Sequence, residues 1–237
     1  MYGRKNWNEK SFKMRKFVIA DIHGCHRALM QCFQRSKFNY TKDLLIVLGD
    51  VVDRGPDTSK CIEELMQVQH LVYVCGNHDI CALAWLRDGW VSDEWLSEGG
   101  DTTIASYKKC PKLIVLHRHF FDIAKYYYVD DNRMFIHGGF SLDTPIENQN
   151  PYDFLQNRTL RKIAFKNATS RIRLSKYREV FVGHYSTTSK NIDKPIKLCE
   201  VWFMNQGSGY PNGRLTIMNI DTHRYWQSDT MDAIYKK

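Results

Sequence analysis

The chain has 237 residues, 43% of them apolar, which is enough for one α/β domain with a sizeable core. No apolar run approaches the roughly 20 residues of a membrane span, and the basic, polar start, residues 1–16, lacks the apolar stretch of a secretory signal. A formal net charge of +8 favours acidic substrates, and seven cysteines without paired spacing point to reduced thiols in the cytoplasm.

After the basic N-terminal segment, residues 17–20 form a short apolar run that ends in Asp21-Ile22-His23-Gly24. Residues 26–37 read as a first crossover helix. A second apolar run, 44–48, ends in Gly49-Asp50-Val51-Val52-Asp53-Arg54-Gly55, and 58–68 reads as a second crossover helix. A third run, 71–75, ends in the loop Gly76-Asn77-His78-Asp79. Strands alternating with helices in this way imply a parallel sheet. Residues 80–132 break the pattern with Trp85, Trp90 and Trp95, then Gly99-Gly100. This stretch is expected to be a mostly helical insertion, packed onto the domain by its tryptophans. Its His117 and His119 are expected at a strand or helix end, and His26 on the surface.

A strand-rich half follows, with runs at 134–136, 180–182, 201–204 and 215–220. Tyr210-Pro211-Asn212-Gly213, between the last two, is a hairpin turn signal. Residues 155–197 carry 11 Lys or Arg against two acids, Glu179 and Asp193. Such a block draws acidic ligands toward a cleft, although most of it reads as a solvated helical face. The aromatic interleaving of a nucleic-acid stacking platform is missing, so no specific nucleic-acid binding is expected.

Each of the first three blocks has an ordinary explanation by itself: an N-cap, a turn, a loop. Together they place carboxylates, an imidazole and an amide oxygen at the ends of three strands, the edge where α/β proteins bind ligands. Such a mixed oxygen and nitrogen set suits Mn, Fe or Zn, and the combination points to a metal-dependent phosphatase. Cys25, Cys61, Cys75 and Cys81 read as small hydrophobes of core elements rather than nucleophiles.

The blocks resemble the signatures of the calcineurin-like metallophosphoesterases, and the form Gly-Asp-x-Val-Asp-Arg-Gly resembles the phosphoprotein phosphatase (PPP) family in particular. Phe135-Ile136-His137-Gly138-Gly139 and Phe181-Val182-Gly183-His184 extend the likeness, which runs from about residue 17 to 221 in the same block order. Length and the Gly99-Gly100 pair are similar to the compact bacterial and phage serine/threonine phosphatases. The resemblance implies a four-layer α/β sandwich, two facing mixed β-sheets flanked by helices, in a single domain covering 1–237, with 80–132 as a helical cap.

It also implies a binuclear centre. Asp21, His23 and Asp50 would hold one divalent ion, and Asp50, Asn77, His137 and His184 a second. Manganese is expected first, with iron, zinc or nickel as alternatives. By the same resemblance a hydroxide bridging the metals is the nucleophile, His78 the general acid, Asp53 its partner, and Arg54 and Arg158 the phosphate clamp. Arg161 is a substitute for Arg158. The chain departs from the pattern at Tyr185-Ser186, where many members have Thr-Pro, and at Asn205-Gln206-Gly207, where relatives often have Asp-Thr-Gly.

The implied function is hydrolysis of phosphomonoesters, first of all phosphoserine or phosphothreonine in a protein, with small phosphoesters as surrogate substrates. Symmetrical cleavage of diadenosine tetraphosphate is the enzymatic alternative, and an inactive phosphate- or RNA-binding scaffold a third.

Overall fold

The computed structural model describes residues 14–236, so most of the basic N-terminal segment lies outside the described residues. Three parallel strands open the fold, β1 (Lys16–Ile19), β2 (Leu44–Val47) and β3 (His70–Tyr73), joined by helices α1 (His26–Ser36) and α2 (Thr58–Met66). Helices α3 (Asn77–Asp88), α4 (Asp93–Trp95), α5 (Asp101–Lys108) and α6 (Leu113–Asp122) follow, with a π-turn at Leu96–Gly100 between α4 and α5. A second series comprises β4 (Tyr127–Asp130), β5 (Arg133–Ile136), α7 (Asp153–Gln156), α8 (Thr159–Lys166), β6 (Glu179–Val182), β7 (Ile196–Leu198) and β8 (Val201–Phe203). The chain ends in β9 (Thr216–Asn219), β10 (Tyr225–Gln227) and α9 (Met231–Tyr235).

The strands form two five-stranded mixed sheets, ordered β10-β9-β1-β2-β3 and β4-β5-β6-β8-β7. Side-chain alternation sends each strand to two different cores. Phe17 and Ile19 point into the layer under α1 and α2, whereas Val18 and Ala20 point to the other sheet. In β5 and β6, Met134, Ile136, Val180 and Val182 pack toward the second helical layer, and Phe135 and Phe181 toward the first sheet. This double burial explains the near-continuous apolar runs of the parallel strands. Between the sheets, Phe135 and Phe181 stack with ring centroids 5.0 Å apart and planes within 8°. The result is the four-layer arrangement of facing sheets flanked by helices. No helix among the described residues is long and apolar enough to cross a membrane.

Four local expectations change. Asn77 and His78 begin α3 rather than sitting in a loop, so their side chains are fixed by a helical first turn. The turn at Tyr210-Pro211-Asn212-Gly213 closes with a Gly213 N–H to Tyr210 carbonyl bond of 2.9 Å. It closes a single antiparallel bridge, Gln206 to Arg214, but the strands it joins, β8 and β9, lie in different sheets, so it makes a crossover between layers rather than a hairpin of those strands. His117 lies inside α6, buried, its Nδ1 2.8 Å from the Tyr107 hydroxyl. The helical stretch also stops at Asp122, because residues 127–130 form the edge strand β4.

Candidate metal centre

The carboxyl ends of β1, β2 and β3 meet those of β5 and β6 along one edge of the sandwich. Loops leaving these ends turn sharply, and Asp21, His23, Asp50, Asp53, Arg54 and His184 all have left-handed backbones, with φ between 49° and 70°. Such conformations cost non-glycine residues about 1 kcal/mol or more each and gather where a site requires them. Backbone bonds hold the loops together: Asp21 N–H donates to Gly49 O (3.1 Å), His23 N–H to Asp50 O (2.9 Å) and Gly24 N–H to Val51 O (2.8 Å).

Two glycines let backbone lie directly on the carboxylates. A Cβ at Gly76 would come within 2.1 Å of Asp50 Oδ1, and one at Gly183 within 2.4 Å of Asp21 Oδ1. Asp50 Oδ1 accepts the His78 N–H at 3.1 Å, and Asp21 Oδ1 accepts the His184 N–H at 3.1 Å.

Imidazoles converge from both sides of Asp50. His137 Nε2 is 3.3 Å and His23 Nε2 3.9 Å from Asp50 Oδ2, while Asn77 Oδ1 is 3.2 Å from His137 Nε2. His23 Nδ1 bonds the Val52 carbonyl (2.9 Å) and His137 Nδ1 the Leu48 carbonyl (2.6 Å), which turns both Nε2 atoms into the site. Ligand atoms of His23, Asp50 and His78 lie mutually within 4.8 Å, as do those of Asp50, His137 and His184. The second group brings together three of the four residues assigned to the second ion, Asp50, His137 and His184. In the first, His78 occupies the place assigned to Asp21, whose oxygens are engaged by His184 N–H and by the Asn205 amide.

Electrostatics fit a cation site. Burial, aided by the Asp50 charge, pushes the Asp21 carboxyl up to about 7. Asp50 is held well below the usual range: burial opposes ionisation, but His137 and His78 outweigh it. Burial and the neighbouring His137 lower His184 to about 3, and burial with Arg54 keeps His23 well below its ordinary value. Both rings are therefore neutral, the ligand form. His184 Nε2 is buried without a hydrogen-bond partner. An unpartnered imidazole nitrogen beside two buried carboxylates fits a divalent ion.

Beside this cluster His78 Nδ1 meets Asp53 Oδ2 at 2.7 Å. Burial disfavours the charged ring, yet the Asp50 charge and the Asp53 bond raise its pKa. The Arg54 guanidinium spans His23 Nε2 (2.5 Å) and His78 Nε2 (3.2 Å), and lies 4.7 Å over the Tyr210 ring. Arg158 and Arg161 both face the Tyr185 ring, at 5.3 and 4.7 Å, and Tyr185 packs against His184 with centroids 4.2 Å apart. Arg158 and its substitute Arg161 thus border the His184 side through Tyr185, whereas Arg54 contacts the cluster itself. On the other side, a cavity of about 140 Å³ is lined by Asn77, His78, Trp90, Glu94, Trp95 and Glu98 among others.

Sequence reasoning missed several supporting residues. Asp79 accepts the backbone N–H groups of Asp50 (2.8 Å), Val51 (2.9 Å) and Gly76 (2.9 Å), tying two loops together. Its place three residues after Gly76 at a helix start was the available signal. Asn205 bridges Asp21 and the His184 carbonyl, and Trp95 and Thr103 hold Asp53. Asn205 stands out in the sequence only as a departure from Asp-Thr-Gly, and no short motif marks Trp95 or Thr103, since each acts from a distant element.

The model of the calcineurin-like phosphoesterase family matches residues 14–214. Serine/threonine-protein phosphatase 1 of Salmonella typhimurium is 38% identical over 97 residues, 41% of this chain and 41% of its own length. A symmetrical bis(5'-nucleosyl)-tetraphosphatase of Buchnera aphidicola is 33% identical over 108 residues, 43% of this chain and 39% of its own. The matches thus span about two fifths of these relatives. Among solved structures, a candidate diadenosine tetraphosphatase superimposes with a TM-score of 0.68 at 17% identity, covering 94% of this chain and 96% of that one. A serine/threonine phosphatase of Saccharomyces cerevisiae does so at 0.57 and 14%, covering 94% and 82%.

Proposed function

Because this chain belongs to the calcineurin-like phosphoesterases, matched from 14 to 214, we propose that it is a binuclear-metal-dependent phosphomonoesterase of the protein serine/threonine phosphatase type. The observation that carries this reading is Asp50 between two imidazole groups, with the His78–Asp53 pair beside it. Asp21, His23 and Asp50 would hold one ion and Asp50, Asn77, His137 and His184 the other. Bound there, the ions would supply an acidified water and positive charge opposite the phosphoryl oxygens. Arg54 offers a guanidinium fork to the same oxygens, where charge grows in the transition state. Arg158, with Arg161 beside it, would bind phosphate from the His184 side. In its protonated form His78 would present Nε2 to the cleft and give that proton to the leaving alkoxide, while Asp53 holds the ring through Nδ1.

Charge on the leaving-group side favours a monoester. Glu98 Oε2 is 3.6 Å from His78 Nε2, and Glu94 lines the same cavity. A phosphoserine peptide places an uncharged Cβ–O there, whereas a dinucleoside polyphosphate places further phosphates, which these carboxylates repel. The alternative, symmetrical hydrolysis of diadenosine tetraphosphate, draws on one observation: Trp90 is 48% exposed and lines the same cavity as His78, where it could stack a base. Parallel assays in Mn²⁺ with a phosphoserine peptide and diadenosine tetraphosphate decide between them. A kcat/KM on the dinucleotide far above the peptide value would overturn the phosphatase reading.

A further inference from the structure

The contacts of the segment 95–103 carry an inference about how the His78–Asp53 pair is set. We propose that Trp95 and Thr103, both in the helical stretch between the strand-rich halves, are positioning residues that fix the Asp53 carboxylate and through it the proton-bearing face of His78. This rests on the reading of His78 as the proton donor.

Asp53 is fully buried. Its Oδ2 accepts from His78 Nδ1 (2.7 Å) and from Trp95 Nε1 (2.8 Å), and its Oδ1 from the Thr103 hydroxyl (2.7 Å). The Asp53 backbone N–H in turn donates to Thr103 Oγ1 (2.9 Å). Because the single Thr103 proton points at Oδ1, the Thr58 hydroxyl 3.1 Å away must donate to Thr103. Every bond in this chain therefore has one possible direction. An indole N–H is a donor only and an ionised carboxylate an acceptor only, so Oδ2 accepts from both rings. His78 is then held with its proton on Nδ1 toward Asp53 and Nε2 toward the cleft.

The same segment reaches the neighbouring residue. The left-handed Arg54 donates its backbone N–H to Gly99 O at 3.1 Å, and a Cβ at Gly99 would stand 2.7 Å from Arg54 N. Gly100 lies under the Trp95 indole, where a Cβ would come within 2.4 Å. The π-turn at Leu96–Gly100 is what carries Trp95 and Thr103 to opposite oxygens of one carboxylate, a use typical of such turns near functional sites. Trp95 is accordingly more than packing for the insertion.

The test uses Trp95→Phe, which keeps an aromatic ring without the N–H, and the pair Thr103→Val and Thr103→Ser. Trp95→Phe and Thr103→Val are expected to bind the wild-type number of metal ions. Both should lower kcat on a phosphoserine peptide by about tenfold and on nitrophenyl phosphate by less, because a good leaving group needs little protonation. Thr103→Ser should recover most of the loss. In metal-free protein, the proton NMR resonance of His78 Nδ1–H should move or broaden in Trp95→Phe and Thr103→Val and stay in place in Thr103→Ser. Equal losses on both substrates, or an unmoved resonance in the variants, would overturn the proposal. If wild type prefers diadenosine tetraphosphate, the substrate reading fails by itself, while the resonance still tests the positioning.

Discussion

At the residue scale, the arrangement turns on how few atoms carry the chemistry. His78→Asn should keep the metal stoichiometry and lower kcat by roughly 10²–10⁴-fold, the range for a lost general acid. The loss should be greater on a phosphoserine peptide than on nitrophenyl phosphate, and equal losses on both would remove His78 from that role. Asp53→Asn should act in the same sense, since an amide cannot stabilise the charged ring, and its milder effect is checked in the same assay. Arg54 touches both His23 and His78, so Arg54→Ala should raise KM and lower kcat together, the pattern of a group gripping the transition state harder than the substrate.

At the element scale, packing separates the three tryptophans that the sequence groups by spacing. Trp85 lies in a ring cluster, 6.4 Å from Trp95 and 5.7 Å from Tyr107, whereas Trp90 is exposed. Trp85→Ala is therefore expected to cost about 2–4 kcal/mol of stability by denaturant titration, and Trp90→Ala only a few tenths. A comparable loss at Trp90 would place that ring in a packing role. The glycines at the strand ends make a second case. Gly183→Ala drives a methyl toward Asp21 Oδ1, so reduced metal content with the fold retained, read by elemental analysis and circular dichroism, is the expected outcome.

At the scale of the whole molecule, the two ends of the sandwich use charge differently. The carboxyl end gathers Asp21 and Asp50 among imidazoles, and removing metal should destabilise it. About two divalent ions per chain are expected, with a chelator lowering both activity and Tm by linkage, and Mn²⁺ restoring activity best. A single ion in fully active protein would reject the binuclear centre. At the opposite end, Glu179 opens β6 and accepts from Arg133 Nε (3.0 Å), Lys197 Nζ (2.9 Å) and Trp202 Nε1 (3.0 Å). Burial would raise its carboxyl, but these bonds hold it at about 2. A depressed carboxyl stabilises the fold above its unfolded pKa of about 4.5, and that stabilisation disappears as pH falls toward 2. Glu179→Gln should thus lower Tm at neutral pH and flatten its fall between pH 4.5 and 2, as read by thermal melts across that range.

The βαβ order and the blocks containing Asp21, Asp50, Asn77, His137 and His184 were legible in the chain because each depends on local pattern, an apolar run and then a polar residue near glycine, whereas the facing sheets followed from the family resemblance. What the linear order could not contain is which distant groups complete them. The turn at Tyr210-Pro211-Asn212-Gly213 reads as a hairpin because turn chemistry is local, yet β8 and β9 enter different sheets, a choice made by core packing. Asn205 on Asp21, and Trp95 with Thr103 on Asp53, lie 42 to 184 positions from their partners and share no spacing. Only folding brings them within hydrogen-bond reach, because buried carboxylates must find donors wherever the packed chain supplies them.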